Sequence, residues 1–473
     1  MRDLWVVAAL AGCAPGDEAP AGPTWDEVAP IVGARCEGCH RAGHIGPFPL
    51  EDAAQLAEHA TIVRASIEQG SMPPWPPADG CTTYLGDRRL SDDERATVLA
   101  WLDAAAPADA SQVASLPDAL EWAPDLSIEL PEAFTPADGA DDYRCQLVRW
   151  PLDAPAYITG LRIDPGVASI AHHAILFAAS ADGAARYEAL DAADPGPGWT
   201  CFGGPDGGDI GQFIDDLSVV DAARVVEGMV RGDVPEDVDF PFGVLFGADG
   251  GRWLGEWVPG VDGTLLPQGT GMRMDPGDVV IVQMHYNTVT APTAADRSRV
   301  AFRVADAVDH PAATVPVMDL GWLTNLDLFG GSMLIPAGEP NVVHETEMAT
   351  DVLTFAAARR RIGLDGEAPV TVRAVGHHMH QLGTSARVDA VVGGARSCLL
   401  DLPRWDFGWQ GGYQLAEPVT LGPADAVHLR CAWDNSPENQ LVIDGVQQEP
   451  RDVVWGDRTR DEMCLGILYV TGP

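Results

Sequence analysis

The hydrophobic rhythm of the chain changes once. Up to about residue 107 apolar residues recur at helical spacing; beyond it they fall in short runs divided by Gly, Pro and Asp. In the first part, Thr24-x-x-Glu27 and Ser91-x-x-Glu94 have the form of capping boxes, in which the hydroxyl accepts an N3 amide and the glutamate reaches back to the cap amide. They predict helices over Trp25 to Ala34 and over Asp92 to Ala106, the second stopped by Pro107. A third helix is expected over Glu51 to Gln69 from its Ala, Leu and Ile spacing, and Gly70 ends it. In the second part, Tyr157 to Ile163, Ala174 to Ala178, Val279 to His285, Val370 to Val375 and Ala426 to Ala432 read as strands at the spacing of antiparallel sandwiches. Asp306, Asp309 and Pro311 interrupt the strands between Val304 and Val315, which sets a boundary between two such domains. No short internal repeat is evident.

The first residues read as a targeting segment. Arg2 precedes an apolar run, Leu4 to Leu10, too brief to span a bilayer, and the run ends in Leu10-Ala11-Gly12-Cys13. This has the form of a bacterial lipobox, so residues 1–13 are expected to be a lipoprotein signal with Cys13 lipidated; an ordinary signal peptide is the alternative. Residues 14–23 are small, acidic and Pro-rich, as a flexible tether would be. No later run of 18 apolar residues occurs, so membrane association is expected through the lipid anchor only. The expected location is the periplasm or the outer-membrane or cell surface of a bacterium, where disulfides persist.

Charge narrows the partners. The formal net charge is −41, from 70 acidic residues against 29 basic ones, all of them Arg. Such an excess keeps a chain soluble and repels nucleic acid, which is excluded as a partner. Nine cysteines can be partly sorted. Cys36-Glu37-Gly38-Cys39-His40 is a C-x-x-C-H sequence, the attachment motif of a covalent c-type haem, with a zinc knuckle as the alternative reading. Setting aside Cys13 for lipid and Cys36 and Cys39 for haem leaves Cys81, Cys145, Cys201, Cys398, Cys431 and Cys464, whose pairing the sequence does not choose.

The haem motif closes the first predicted helix, with His40 as one axial ligand. Ser71-Met72-Pro73-Pro74-Trp75 forms an extended loop that can hold the Met72 thioether toward the iron, with His44 or His59 as substitutes. Residues 24–108 are therefore expected to form a small all-α cytochrome c domain, followed by two all-β sandwich domains at 120–305 and 306–473.

Six clustered histidines and one late methionine carry the remaining chemistry: His172-His173, His285, His377-His378-Met379-His380 and Met463. Three imidazoles in one site, and two imidazoles with a thioether in another, suit copper cycling between two oxidation states. His378 and His380 share a face of a strand, as i and i+2 must. Neighbours on a strand point to opposite faces, so His172 and His173 can bind one metal only if the strand is bent or bulged there, or if the rings use different nitrogens. His310, His344 and His428 are read as ordinary side chains. A zinc hydrolase would want a general-base carboxylate near its ligands, and His172-His173 has no acidic neighbour in sequence.

Several segments resemble the copper type II, ascorbate-dependent monooxygenases, the family of peptidylglycine α-hydroxylating monooxygenase and dopamine β-monooxygenase. They are Asp142-Tyr143-Arg144-Cys145, His172-His173, Leu266-Pro267-Gln268-Gly269, Gln283-Met284-His285-Tyr286, Ile335-Pro336-Ala337-Gly338, His378-Met379-His380-Gln381-Leu382-Gly383 and Asp461-Glu462-Met463-Cys464, in the family's order. The resemblance implies two jelly-roll-like domains holding two copper ions: His172, His173 and His285 bind the electron-storing copper, and His378, His380 and Met463 the copper that activates O2. It also implies a Cys431–Cys464 disulfide; Cys145 with Cys201 is a further expected pair. The implied reaction hydroxylates a C–H bond of a small organic substrate, with electrons from an ascorbate-like reductant. Here a periplasmic cytochrome acting through the fused haem is the alternative donor. Where peptide-amidating members carry Arg, Asn and Tyr for a peptide carboxylate, this chain has Gly376, Leu465 and Ile467, so a peptidylglycine substrate is not expected. The competing function is a non-catalytic haem and copper electron carrier or copper-binding lipoprotein.

Overall fold

The computed structural model describes residues 22–42, 44, 46–104, 123–139, 142–201, 204–205, 251–258, 263–288, 291–319, 321–322, 331–443, 446–456 and 460–473. The expected lipobox at Cys13 and most of the expected tether lie outside the described residues.

Four helices open the described chain: α1 (Trp25–Arg35), α2 (Ala53–Glu58), α3 (Ala60–Gln69) and α4 (Asp92–Asp103). Both capping boxes form, with the Thr24 and Ser91 amides donating to Glu27 and Glu94 at 2.7 Å. The single helix expected over 51–69 breaks at His59, where ψ of 12° leaves helical geometry, and Gly70 ends α3 in the left-handed region at φ 68°. Trp25, Val28, Leu56, Val98 and Trp101 fill a small core between these helices.

The expected architecture, a small all-α cytochrome c domain followed by two all-β jelly-roll-like sandwich domains, is corrected by this arrangement. The described residues are mostly β-sheet with a few short helices, and among them no sizeable all-α domain precedes the sheets. None of α1 to α4 exceeds 12 residues. The physical reason lies in residues 71–91, where Pro73, Pro74, Pro76 and Pro77 prevent helix and the segment crosses onto the sheets instead. Ala78 N–H donates to Asp401 O at 2.7 Å and Leu85 N–H to Gln414 O at 2.8 Å. Tyr84 bridges to Leu415, its hydroxyl donates to Leu399 O at 3.0 Å, and Cys81 is disulfide-bonded to Cys398.

The β region is also not two separate sandwiches. A nine-stranded sheet runs through both halves, its main path ordered Leu126–Glu129, Arg299–Ala305, Ala156–Asp164, Thr270–Met274, His310–Val317, Leu465–Thr471, Val370–His378 and Gly412–Leu421. The boundary expected near 304–315 falls inside it. Across that point His310–Val317 pairs in parallel with Thr270–Met274, and the buried Thr270 and Tyr469 hydroxyls meet at 2.8 Å. Alternating apolar residues of the strands bury one face against a partner sheet in each half. A five-stranded sheet, Trp199–Thr200, Asp142–Arg149, Val279–Tyr286, Ala171–Ala179 and Arg252–Trp257, covers the first half. A four-stranded one, Val342–Ala349, Ala426–Trp433, Gly383–Val392 and Ala395–Leu402, covers the second. Ile158, Leu176, Val282 and Phe302 centre the first core, and Val372, Val388, Leu429 and Leu468 the second.

The disulfide Cys81–Cys398 joins residues 317 positions apart, so it restrains the crossing segment far more than local bonds do. Replacing both cysteines with Ser is expected to lower stability by about 2–5 kcal/mol. Limited proteolysis checks this: cleavage within residues 71–91 should accelerate while the sheets stay protected.

Candidate metal centres

The strand Val279–Tyr286 is buried along its whole length and places His285 beside the neighbouring strand Ala171–Ala179, with His173 directly opposite His285 in the ladder. Residues facing each other in an antiparallel pair share a side of the sheet, so these two imidazoles meet without strain. His172 joins them because the register shifts between Ala171 and His173, the bulge that the vicinal pair requires. Nδ1 of His173 lies 3.2 Å from Nδ1 of His172 and 3.2 Å from Nδ1 of His285. Tyr143, opposite His285 on its other side, stacks on that ring at 4.1 Å with planes 4° apart.

This spacing fits a metal. Nitrogens about 2.0–2.1 Å from one tetrahedrally coordinated ion stand roughly 3.3 Å apart. Burial, then the charges of His285, His172 and His378, hold the His173 imidazole well below its ordinary pKa, so its ring stays neutral and its lone pair available. The donor set is all nitrogen, from three imidazoles, which suits copper or zinc.

The second cluster is built by the pairing of Val370–His378 with Leu465–Thr471. His378 stands opposite Leu465 at the end of the ladder, and beyond it the His380 amide donates to Glu462, which brings the 380 turn to the segment carrying Met463. His377, next to His378 on the strand, takes the other face. The His378 and His380 rings are 5.0 Å apart at 80°. Nδ1 of His378 meets Gln410 Oε1 at 2.5 Å, and Nδ1 of His380 meets Asp461 O at 2.9 Å. Each acceptor fixes the Nδ1–H tautomer and leaves Nε2 as the ligand atom, the reverse of the first cluster. Two imidazole nitrogens joined by the buried Met463 thioether would make a soft donor set suited to Cu(I).

On the opposite face, Cys464 is disulfide-bonded to Cys431, and His377 Nε2 lies 3.3 Å from Cys431 Sγ. Burial pushes His377 down to about 3, so it packs as a neutral ring. The third disulfide joins Cys145 and Cys201. Among the described residues the pairs expected from the sequence, Cys431–Cys464 and Cys145–Cys201, both form, and Cys81–Cys398 completes the set.

Sequence reasoning missed the groups that hold these ligands. Glu462 accepts from the His380 and Leu382 amides at 2.8 and 2.6 Å and from Trp433 Nε1 at 2.9 Å, clamping the 380 turn against Met463. Burial raises its carboxyl to about 7 against the pull of those donors. The loop 405–410 links the two clusters. Trp405 Nε1 donates to His380 O at 3.0 Å, Gln410 holds His378, and a β-carbon at Gly408 would stand 4.0 Å from His172 Nε2. Glu462 lies inside a quoted motif, so its position was legible, though its task was not; Gln410 carries no sequence signal.

At the N-terminal motif, α1 ends at Arg35 and a turn presents Cys36, Cys39 and His40. His40 Nδ1 meets Phe48 O at 2.9 Å, again leaving Nε2 for a metal. Cys36 is pushed up to about 12 and Cys39 upward, chiefly by burial. Phe48 stacks on His59 at 3.9 Å. Met72 is half-buried just past α3, and among the described residues no hydrogen bond links it to the motif.

No family model and no curated protein matches the chain. Among solved structures, one of PNGF-II shares 10% identity over 73% of this chain with a TM-score of 0.27, and the chain spans 65% of its length. The major capsid protein P2 from Bacteriophage PM2 shares 8% identity over 73% of this chain and 97% of its own, at 0.23. Likenesses this low carry no argument about fold or activity.

Because Glu462 accepts from the His380 and Leu382 amides, Glu462→Gln turns an amide NH2 toward donors it should accept from, which costs about 1–3 kcal/mol. Metal analysis after copper loading should fall from two ions per chain to one, with the three-imidazole site retained.

Proposed function

We propose that the chain is a copper-dependent monooxygenase that hydroxylates a C–H bond of a small organic substrate with O2. The observation that carries the reading is the cluster of three imidazoles from His172, His173 and His285, together with the adjoining His378 and His380 rings, whose turn is bonded to Glu462 beside the buried Met463, in the order of the copper type II family. Copper would supply the one-electron chemistry and the activation of O2. The rest is the chain's own work. Burial holds His173 and His378 below their ordinary pKa, Gln410 and Asp461 set the tautomers of His378 and His380, and Glu462 holds the backbone of the 380 turn. Gly376, Leu465 and Ile467 present no charge to a substrate from the second cluster.

A covalent haem c at Cys36 and Cys39, with His40 and Met72 as axial ligands, belongs to the same proposal as the route for electrons from a periplasmic cytochrome. Three disulfides are compatible with an oxidising, extracellular or periplasmic location. Among the described residues no helix is long and apolar enough to cross a membrane. Export with a lipid at Cys13 completes the proposed placement.

Copper-loaded protein is expected to consume O2 in step with substrate and to give a product carrying one 18O atom from 18O2, read by mass spectrometry. Met463→Leu should abolish this while the three-histidine copper remains. O2 uptake no faster than autoxidation across a broad substrate panel would point to the electron-carrier reading. Separately, replacing Met72 or His40 should slow copper re-reduction by a cytochrome-type donor and leave reduction by ascorbate intact. Equal slowing in both assays would remove the haem from the pathway.

A further inference from the structure

A cavity of about 340 Å³ opens where the crossing segment, the first sandwich and the 409–414 turn meet, a volume within the range of small-molecule sites. Trp75, Trp409 and Tyr413 line it, with Trp75 edge-on to Tyr413 at 5.4 Å. Two groups of opposite charge also line it: Glu256, from the strand Arg252–Trp257, and Arg88, from the crossing segment. Among the described residues neither takes part in an ion pair. Glu256 accepts the Gly412 amide, and burial raises its carboxyl to about 7. Both side chains are half-buried in the cavity wall, so a ligand carrying an ammonium and a carboxylate would pair with each of them.

We propose that this cavity binds a small zwitterion, a primary amine and a carboxylate separated by an apolar body, with the ammonium on Glu256, the carboxylate on Arg88 and the body against Trp75, Trp409 and Tyr413. A lone organic cation would leave Arg88 unsatisfied, and a lone anion would face Glu256. Gln410, which also lines the cavity, is the residue that holds His378, so the ligand would lie alongside the second metal cluster. As a binding site the cavity stands on its own geometry; as the substrate site it rests on the monooxygenase reading.

Isothermal titration calorimetry on the full chain as purified, with 6-aminohexanoate, hexylamine and hexanoate as probes, tests the proposal without turnover. The zwitterion should bind at least about tenfold more tightly than either single-charge probe, one good charge-assisted hydrogen bond being worth that much. Glu256→Gln should reduce its affinity to that of hexanoate, and Arg88→Gln to that of hexylamine, with circular dichroism unchanged. Equal binding of hexylamine and the zwitterion, indifference to Arg88→Gln, or no heat with any probe would overturn it. Binding as expected without hydroxylation of the bound probe would leave the site standing and count against the monooxygenase reading alone.

Discussion

Two imidazole nitrogens held 3.2 Å apart, twice over, on His173 form the constraint on which the rest depends. Rings facing each other at that distance share a proton in an N–H···N hydrogen bond or a cation among them, since lone pairs otherwise repel. Burial and the neighbouring rings hold His173 well below its ordinary pKa, which leaves its Nδ1 to accept. A metal ion among the three rings would take up their lone pairs together. The sheet sustains the arrangement by a bulge before His173 and by the buried strand that ends at Tyr286.

The second cluster obeys the same logic by a different route. An antiparallel ladder ends with His378 opposite Leu465, and Glu462 ties the 380 turn to the segment just before it. His377 lies behind, against the Cys431–Cys464 disulfide. The loop 405–410 touches ligands of both clusters, and His378 influences the charge state of His173, so the centres share one neighbourhood although they belong to different cores. The continuous nine-stranded sheet makes that proximity durable, because its parallel seam at 270–272 and 310–312 does not depend on a hinge.

Much of this was legible locally. Capping boxes, the C-x-x-C-H turn, the same-face pair at 378 and 380, and the need for a bulge at 172–173 all rest on geometry spanning a few residues, and each took the form that spacing dictates. What failed was non-local. The break at His59 and the departure of residues 71–91 onto the sheets depend on tertiary partners such as Asp401 and Gln414, which no window of sequence contains. The expected domain boundary at 306–309 is a real turn between strands, yet both strands enter one sheet, because pairing partners far apart in sequence decide sheet membership. Gln410 and Arg88 likewise gain meaning only from what lies opposite them.

Copper K-edge X-ray absorption of the reduced, fully loaded protein tests the central claim most directly. Two centres, one ligated by three nitrogens and one by two nitrogens and a thioether, predict about half a sulfur scatterer per copper, lost in the Met463→Leu protein. A shell of nitrogen and oxygen alone, unchanged by that substitution, would contradict the account.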